Sequence, residues 1–319
     1  MKILSKNIKE CNIFVLLLIA ILIIGGSAYT SYAIFTTKVE GETTIQVGVK
    51  CANFNVDAIS NSLGEDSSNA NEPVLLDNMI PVVYDNCGNW LKADTSKNWY
   101  NYDKKTWANA VTVSEENREE YLEAATGTVI AMEDINTMWV WIPRYKYTIF
   151  NANLSGDEIA PEQAIKIEFE IGTETTGTVT CADSINNEDG TSEICTDSTY
   201  GEVTNGKSTY THPAFTFGDD ELTGFWFGKF ENTVDTNDNI TIKPDIISIN
   251  DGVYNWFTRA RSMELENNIY GFNSTATAYN STGELTNDTN NFDTHMLKNM
   301  EWGAVAYLSQ SEYGHCNEG

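Results

Sequence analysis

The sequence predicts an α+β protein with mixed or antiparallel sheets and few helices. Three observations carry this. Short strand-like runs follow one another without the regular strand–helix alternation that a parallel α/β fold requires. Helical periodicity is confined to three segments. Long Thr/Asn/Gly-rich stretches separate the runs, as loops do. Eight Trp, fifteen Tyr and thirteen Phe supply material for a sizeable core, so the chain is not a disordered acidic tail.

Lys2, Lys6 and Lys9 precede an apolar run of twelve residues, Ile13 to Ile24, followed by Gly25-Gly26 and Ser31-Tyr32-Ala33. A cationic start, a short apolar core and small residues two apart read as a secretory signal over 1–33, cut after Ala33. The run falls short of the roughly 20 residues that span a bilayer. The alternative is a retained anchor over residues 13–35, the only membrane contact expected. Either way the chain is exported, to the extracellular space or the cell surface.

Residues 34–73 read as an extended lead-in, with strand-like alternation over Thr43–Val49 and a turn-rich linker over 60–73. An aromatic-rich subdomain follows over 74–137. It holds a strand near Met79–Tyr84, a turn at Asp85–Gly88, and a helix from Glu115 to Ala125 with Ser114 as N-cap and Gly127 beyond its end. The portion 138–319 begins with strands at 138–142 and 145–150. Ile165–Ile171 alternates, which buries Ile165, Ile167, Phe169 and Ile171 and exposes the charges. A polar insertion spans 172–211. A strand at 225–230 precedes a helix from Asp251 to Glu266, with Ser248 and Asp251 spaced as a capping box. A Thr/Asn/Gly loop covers 271–291. A last helix runs from Thr294 to Ser309, capped by Asp293, with Met296, Met300, Ala304, Tyr307 and Leu308 on one face.

The formal net charge is -27. No basic stripe offsets it, which excludes nucleic acid as a partner. Of six cysteines, Cys11 lies in the leader, leaving an odd number. Cys181 and Cys195 flank a turn-rich loop and are the best disulfide pair. Cys51 with Cys87 is the second choice.

Trp90, Trp99, Tyr100, Tyr102 and Trp107 fall close together, interleaved with Lys92, Lys97, Lys104 and Lys105. Flat rings beside hydrogen-bonding groups suit sugars; the competing reading is a core with lysine stems across it. Strand alternation puts Trp139 and Trp141 on one face as core, and Arg144 within reach of Glu231 or Glu301. Asp235, Asn237 and Asn239 stand at positions one, three and five of a calcium loop. The sixth and twelfth positions, Ile240 and Ile246, fail the EF-hand pattern, leaving an Asx turn or a millimolar calcium site. His212, His295 and His315 sit in no catalytic motif, and no cofactor is expected.

Three segments together resemble a group of uncharacterised exported proteins of Gram-positive-type bacteria. They are Met79–Val82 with Trp99–Tyr102 and Trp107–Ala110; Met138–Tyr145; and Gly224–Glu231 with Met300–Leu308. Ile142-Pro143, Gly228-Lys229-Phe230-Glu231 and Ala304-Val305-Ala306-Tyr307 also stand in the order found in the formylglycine-generating-enzyme family. That resemblance covers roughly 138–310. It implies a C-type-lectin-like C-terminal portion. The family's later half and its copper-binding cysteine pair have no counterpart here. The resemblance thus implies a scaffold with variable loops and not the enzyme, or a truncated copy of a longer protein. The expected function is an exported, non-enzymatic binding protein for a glycan or protein ligand. The alternatives are an extracellular hydrolase with a carboxylate pair and a structural envelope protein.

Overall fold

The structure is a computed structural model that describes residues 55–148, 164–179 and 209–314, and two short strands at 185–186 and 192–193. The leader, residues 34–54, and Cys181 and Cys195 lie outside the described residues, as do His315 and Cys316. The described part is mixed α+β.

In chain order the strands are β1 Ile80–Tyr84, β2 Trp90–Lys92, β3 Asn109–Val113, β4 Val129–Ile130, β5 Ile135–Pro143, β6 Tyr145–Thr148, β7 Lys166–Phe169, β8 Thr178–Val179, β9 Ile185–Asn186, β10 Ser192–Glu193 and β11 Tyr210–Thr211. They continue as β12 Thr216–Phe217, β13 Asp220–Glu221, β14 Gly224–Gly228, β15 Asn232–Val234, β16 Ile240–Ile242, β17 Ala278–Tyr279 and β18 Leu285–Thr286. The helices are α1 Val56–Leu63, α2 Glu115–Glu123, α3 Val253–Ser262 and α4 Asn299–Ser309. The main sheet runs β15-β16-β5-β3-β1-β2-β4, and β14 also pairs with β5. It is antiparallel except where Ile242 of β16 meets Thr137 in parallel. A smaller sheet runs β7-β6-β11-β8.

The main sheet is buried on both faces, which explains why β5 reads as a continuous apolar run. Successive side chains point to opposite faces. Ile80, Val82, Val111 and Met138 share one cluster, while Met79, Ala110, Ile240 and Ile242 share another with Ala260 of α3. Val83, Leu91 and Trp141 pack with Val56 of α1. Val140 and Ile142 pack with Ala304 and Leu308 of α4. The boundary expected between 137 and 138 therefore falls inside β5, whose ends serve all four clusters.

The linker expected over 60–73 is instead a helix end and a strap. Asn71 donates to the carbonyls of Glu170, Gly172 and Thr223 and accepts from the Gly172 N–H. The Trp141 indole donates to its carbonyl. One carboxamide thus satisfies four main-chain groups from distant segments, a use of Asn that composition does not reveal.

Two helix starts differ from expectation for one reason: the capping residues are employed elsewhere. Ser248 donates to Glu231 and the Asn232 carbonyl, so α3 begins after Gly252. Asp293 holds His295 and Arg261, and α4 begins at Asn299, where Glu301 accepts the Lys298 N–H. Met296 therefore lies before the helix. Ser114 precedes α2 but makes no side-chain cap. In β7, Ile167 is buried and Phe169 half-buried as expected. Ile171 is 68% exposed, however, and Glu170 only 2%. The buried carboxylate belongs to Arg144 (below).

Three hairpin loops share one design. Asp85–Asn89 joins β1 to β2, Asp235–Asn239 joins β15 to β16, and Asn280–Glu284 joins β17 to β18. In each, the first side chain accepts the N–H groups of the third and fifth residues. The fourth residue, Gly88, Asp238 or Gly283, has positive φ, as such loops require.

Candidate functional site

The aromatic residues singled out in the sequence are core. Trp90 is 8% exposed, Trp99 6% and Tyr102 0%, and Tyr100 and Trp107 are half-buried. Tyr102 packs against Tyr100, Trp107 and Phe169, and its hydroxyl donates to the Trp141 carbonyl. The Trp107 indole donates to Tyr313. α1 packs on Trp99, Tyr100, Tyr102 and Trp107, and Trp90 lies in a separate cluster with Ile80, Val82 and Ile130. The interleaved lysines are also engaged: Lys92 donates to three carbonyls at the end of α2, Lys97 pairs with Asp57 and Asp94, and Lys104 donates to Ser62.

The Asp235 loop closes on itself. Both oxygens of Asp235 accept from Asn239, and Oδ1 also takes the Asn237 N–H. Against the upward push of burial, these donors pull the carboxyl below its ordinary value. Asp238 is spent on Arg259. This is hairpin chemistry, and no group of acidic, His or Cys residues among the described residues is arranged to hold a metal ion.

Arg144 joins neither Glu231 nor Glu301. It is wholly buried and pairs with Glu170 at 3.1 Å and Glu221 at 2.6 Å. Its remaining donors reach the Phe215, Leu222 and Glu174 carbonyls and the Thr175 hydroxyl. Glu170 in turn accepts from Thr176, Gly177 and Thr211. Every charge is met, so this hub is structural.

A second network surrounds His295, whose two ring nitrogens face Asp293 and Glu301. Burial alone lowers the imidazole, but the two carboxylates hold it up to about 9. Arg261 bridges Asp293 to Glu264. Burial pushes the Glu264 carboxyl up to about 7, opposed by the Thr294 N–H and Arg261. The other described histidine, His212, is packed among Tyr145, Tyr147, Phe215 and Tyr307. Burial depresses it to about 3, and it stays neutral.

An open cleft of about 740 Å³ lies elsewhere. Asp77 and Asn78 line it from the turn before β1, Glu115 and Arg118 from α2, and Glu266, Asn267 and Asn268 from the segment after α3. Gly271, Phe272 and Asn273 complete it. Asn78 donates to the Gly271 carbonyl at 2.6 Å, and Asn268 exchanges hydrogen bonds with Phe272, which fixes the rim. Gly271 has φ +85°, and a Cβ there would lie 2.6 Å from Arg118 Nε. Glycine thus lets the guanidinium lie flat on the loop.

Arg118 donates to the Val113 and Ile269 carbonyls. Its Nε is buried with no partner, and no carboxylate among the described residues pairs with it. Burial lowers the guanidinium from its ordinary value, with Glu115 opposing. The cleft thus offers amides, three carboxylates and an under-supplied guanidinium, with Phe272 as its one apolar side chain. Such a lining can exchange many hydrogen bonds with a neutral polyhydroxylated ligand. Its carboxylates disfavour anions. Sequence reading missed this site apart from the 271–291 loop. The available signal was Arg118, the lone cation in Glu-Glu-Asn-Arg-Glu-Glu.

The fold and cleft define an α+β protein with a polar surface site. No family model, curated protein or solved structure matches the chain.

Proposed function

We propose that this is an exported, non-enzymatic binding protein, secreted or held at the cell surface, whose ligand is a neutral glycan. The polar cleft around Arg118 is its binding site, in place of the aromatic cluster. The lining carries this reading: Asn268 spends its carboxamide on the rim, while Asn267 and the remaining amide groups of Asn78 and Asn273 stand beside Asp77, Glu115 and Glu266, and donors next to acceptors are what a sugar hydroxyl requires of its partner. A protein partner's polar loop would meet the same groups. The C-type-lectin-like character of 138–319 belongs to this proposal and is supported by motif order and by long loops on an antiparallel scaffold. Export is supported by residues 1–33. No helix among the described residues is long and apolar enough to cross a membrane. Glycan-array binding of the full chain tests the site. Arg118→Ala and Asn267→Ala should abolish the signal while the circular-dichroism melt stays near the parent. Binding unchanged in both variants would remove the cleft from consideration.

A further inference from the structure

Among the described residues most lysines are spent. Lys92 donates to the Tyr121, Leu122 and Ala124 carbonyls, and Lys243 to those of Met132 and Ile135. Lys97, Lys146 and Lys166 pair with carboxylates. Lys229 differs. It follows β14 directly, and its N–H donates to the Met138 carbonyl at 2.9 Å, which pins the main chain to β5. Its Nζ stands 5.5 Å from the centre of the Trp90 ring and 6.0 Å from that of Phe230. No hydrogen bond or carboxylate among the described residues meets it. Neighbouring Glu231 faces Ser248 instead.

Two ring faces at the outer limit of cation–π range compensate an ammonium only in part. Losing water costs a cation more than that. The balance shifts toward the neutral amine, and burial brings this group down from 10.5 to about 8. The residue is half-buried, and its Nζ is not fully enclosed.

We propose that Lys229 is a carbonyl-reactive amine, a site at which the chain forms an imine with small uncharged aldehydes. The nitrogen lone pair attacks the carbonyl carbon and a C–N bond forms. The carbonyl oxygen then leaves as water with both amine hydrogens. A desolvated lysine beside apolar walls is the arrangement that makes this amine nucleophilic near neutrality. The open-chain form of a reducing sugar belongs to the same chemical class. This inference is independent of the cleft.

Lys298 is the internal control: it lies 4.0 Å over Phe217 but is exposed. At pH 7.4 an amine titrating at about 8 is roughly 20% free base, against about 0.1% for an ordinary lysine. Lower intrinsic nucleophilicity offsets part of that gain, leaving about a tenfold rate advantage. The full chain is incubated with propionaldehyde and cyanoborohydride from pH 6 to 11, and each lysine's alkylation is followed by peptide mass spectrometry. Lys229 should alkylate about tenfold faster than Lys298 at pH 7.4, with a rate midpoint near 8. Lys229→Arg should remove the fast adduct from the intact mass. Equal or slower labelling of Lys229, or a midpoint above 10, would overturn the proposal. The parent chain alone decides it, whatever the variant's stability.

Discussion

Arg144 and Arg118 are both withdrawn from solvent, and they are treated in opposite ways. Arg144 meets two carboxylates, three carbonyls and a hydroxyl. Arg118 meets two carbonyls and leaves a buried Nε without a partner. A saturated buried cation stabilises its surroundings only in the sense that removing it leaves the partners stranded. An under-supplied one leaves a buried donor unmet. The first is a joint between β5, β7 and the 211–222 segment. The second lines the polar cleft.

Breaking the joint has the largest expected effect. Arg144→Met strands the Glu170 carboxylate and should lower unfolding stability by about 3–5 kcal/mol, read from urea midpoints. The double variant Arg144→Met, Glu170→Met should recover most of that loss; if it does not, the hub is more than a matched charge pair. Next is the His295 network, which lies between the two arginines in saturation. Its imidazole is raised from 6.5 to about 9, so its contribution is full below pH 6.5 and is lost as pH rises through 9. The loss is at most about 3 kcal/mol. Lys229, depressed to about 8, acts with the opposite sign in the same window, so the parent and His295→Gln are compared: between pH 6.5 and 9.5 the parent's denaturant midpoint should fall relative to the variant's, and parallel profiles would refute the assignment. His212, depressed to about 3, acts with the opposite sign. Its contribution is present above pH 6.5 and disappears as pH falls toward 3.

Two smaller effects sharpen the contrast from the cleft side. Gly271→Ala places a methyl against Arg118 at a positive φ and should cost about 1–2 kcal/mol, with weakened ligand binding. Arg118→Met should cost less than Arg144→Met, about 1–2 kcal/mol, because it frees two part-buried carbonyls but strands no carboxylate. A loss comparable to that of Arg144→Met would mean that the two arginines do the same job.

The same contrast shows what a sequence reveals. The strands expected near 79–84, 138–142 and 225–230 were legible because apolar runs are local, as were the two later helices; the helix at 115–123 buries no side chain and was legible only from Ser114 and Gly127 at its ends. The Trp99–Trp107 cluster was visible as a cluster. Whether its rings faced inward depended on α1, which fell in a stretch read as lead-in and linker. Arg144 was visible as an arginine after a proline, but its partner Glu170 sits in an alternating strand whose charges were expected outside. Pairing of that kind is decided by how β6 and β7 meet. The cleft was the least legible, because Asp77, Arg118 and Asn268 come from three separate segments and share no periodicity. The capping residues misled for a related reason: Asp293 and Ser248 have short polar side chains that serve a helix end or a distant partner equally well.

The three hairpin loops carry a practical consequence. Each is closed by its own first and fifth residues, but two are also tied outward: Asp238 holds Arg259 and Cys87 is disulfide-bonded. The Asn280–Glu284 turn carries neither tie. Lengthening it between Asn280 and Gly283 should leave the Ala278–Thr286 register intact, which makes it the natural port for splicing foreign sequence into this scaffold.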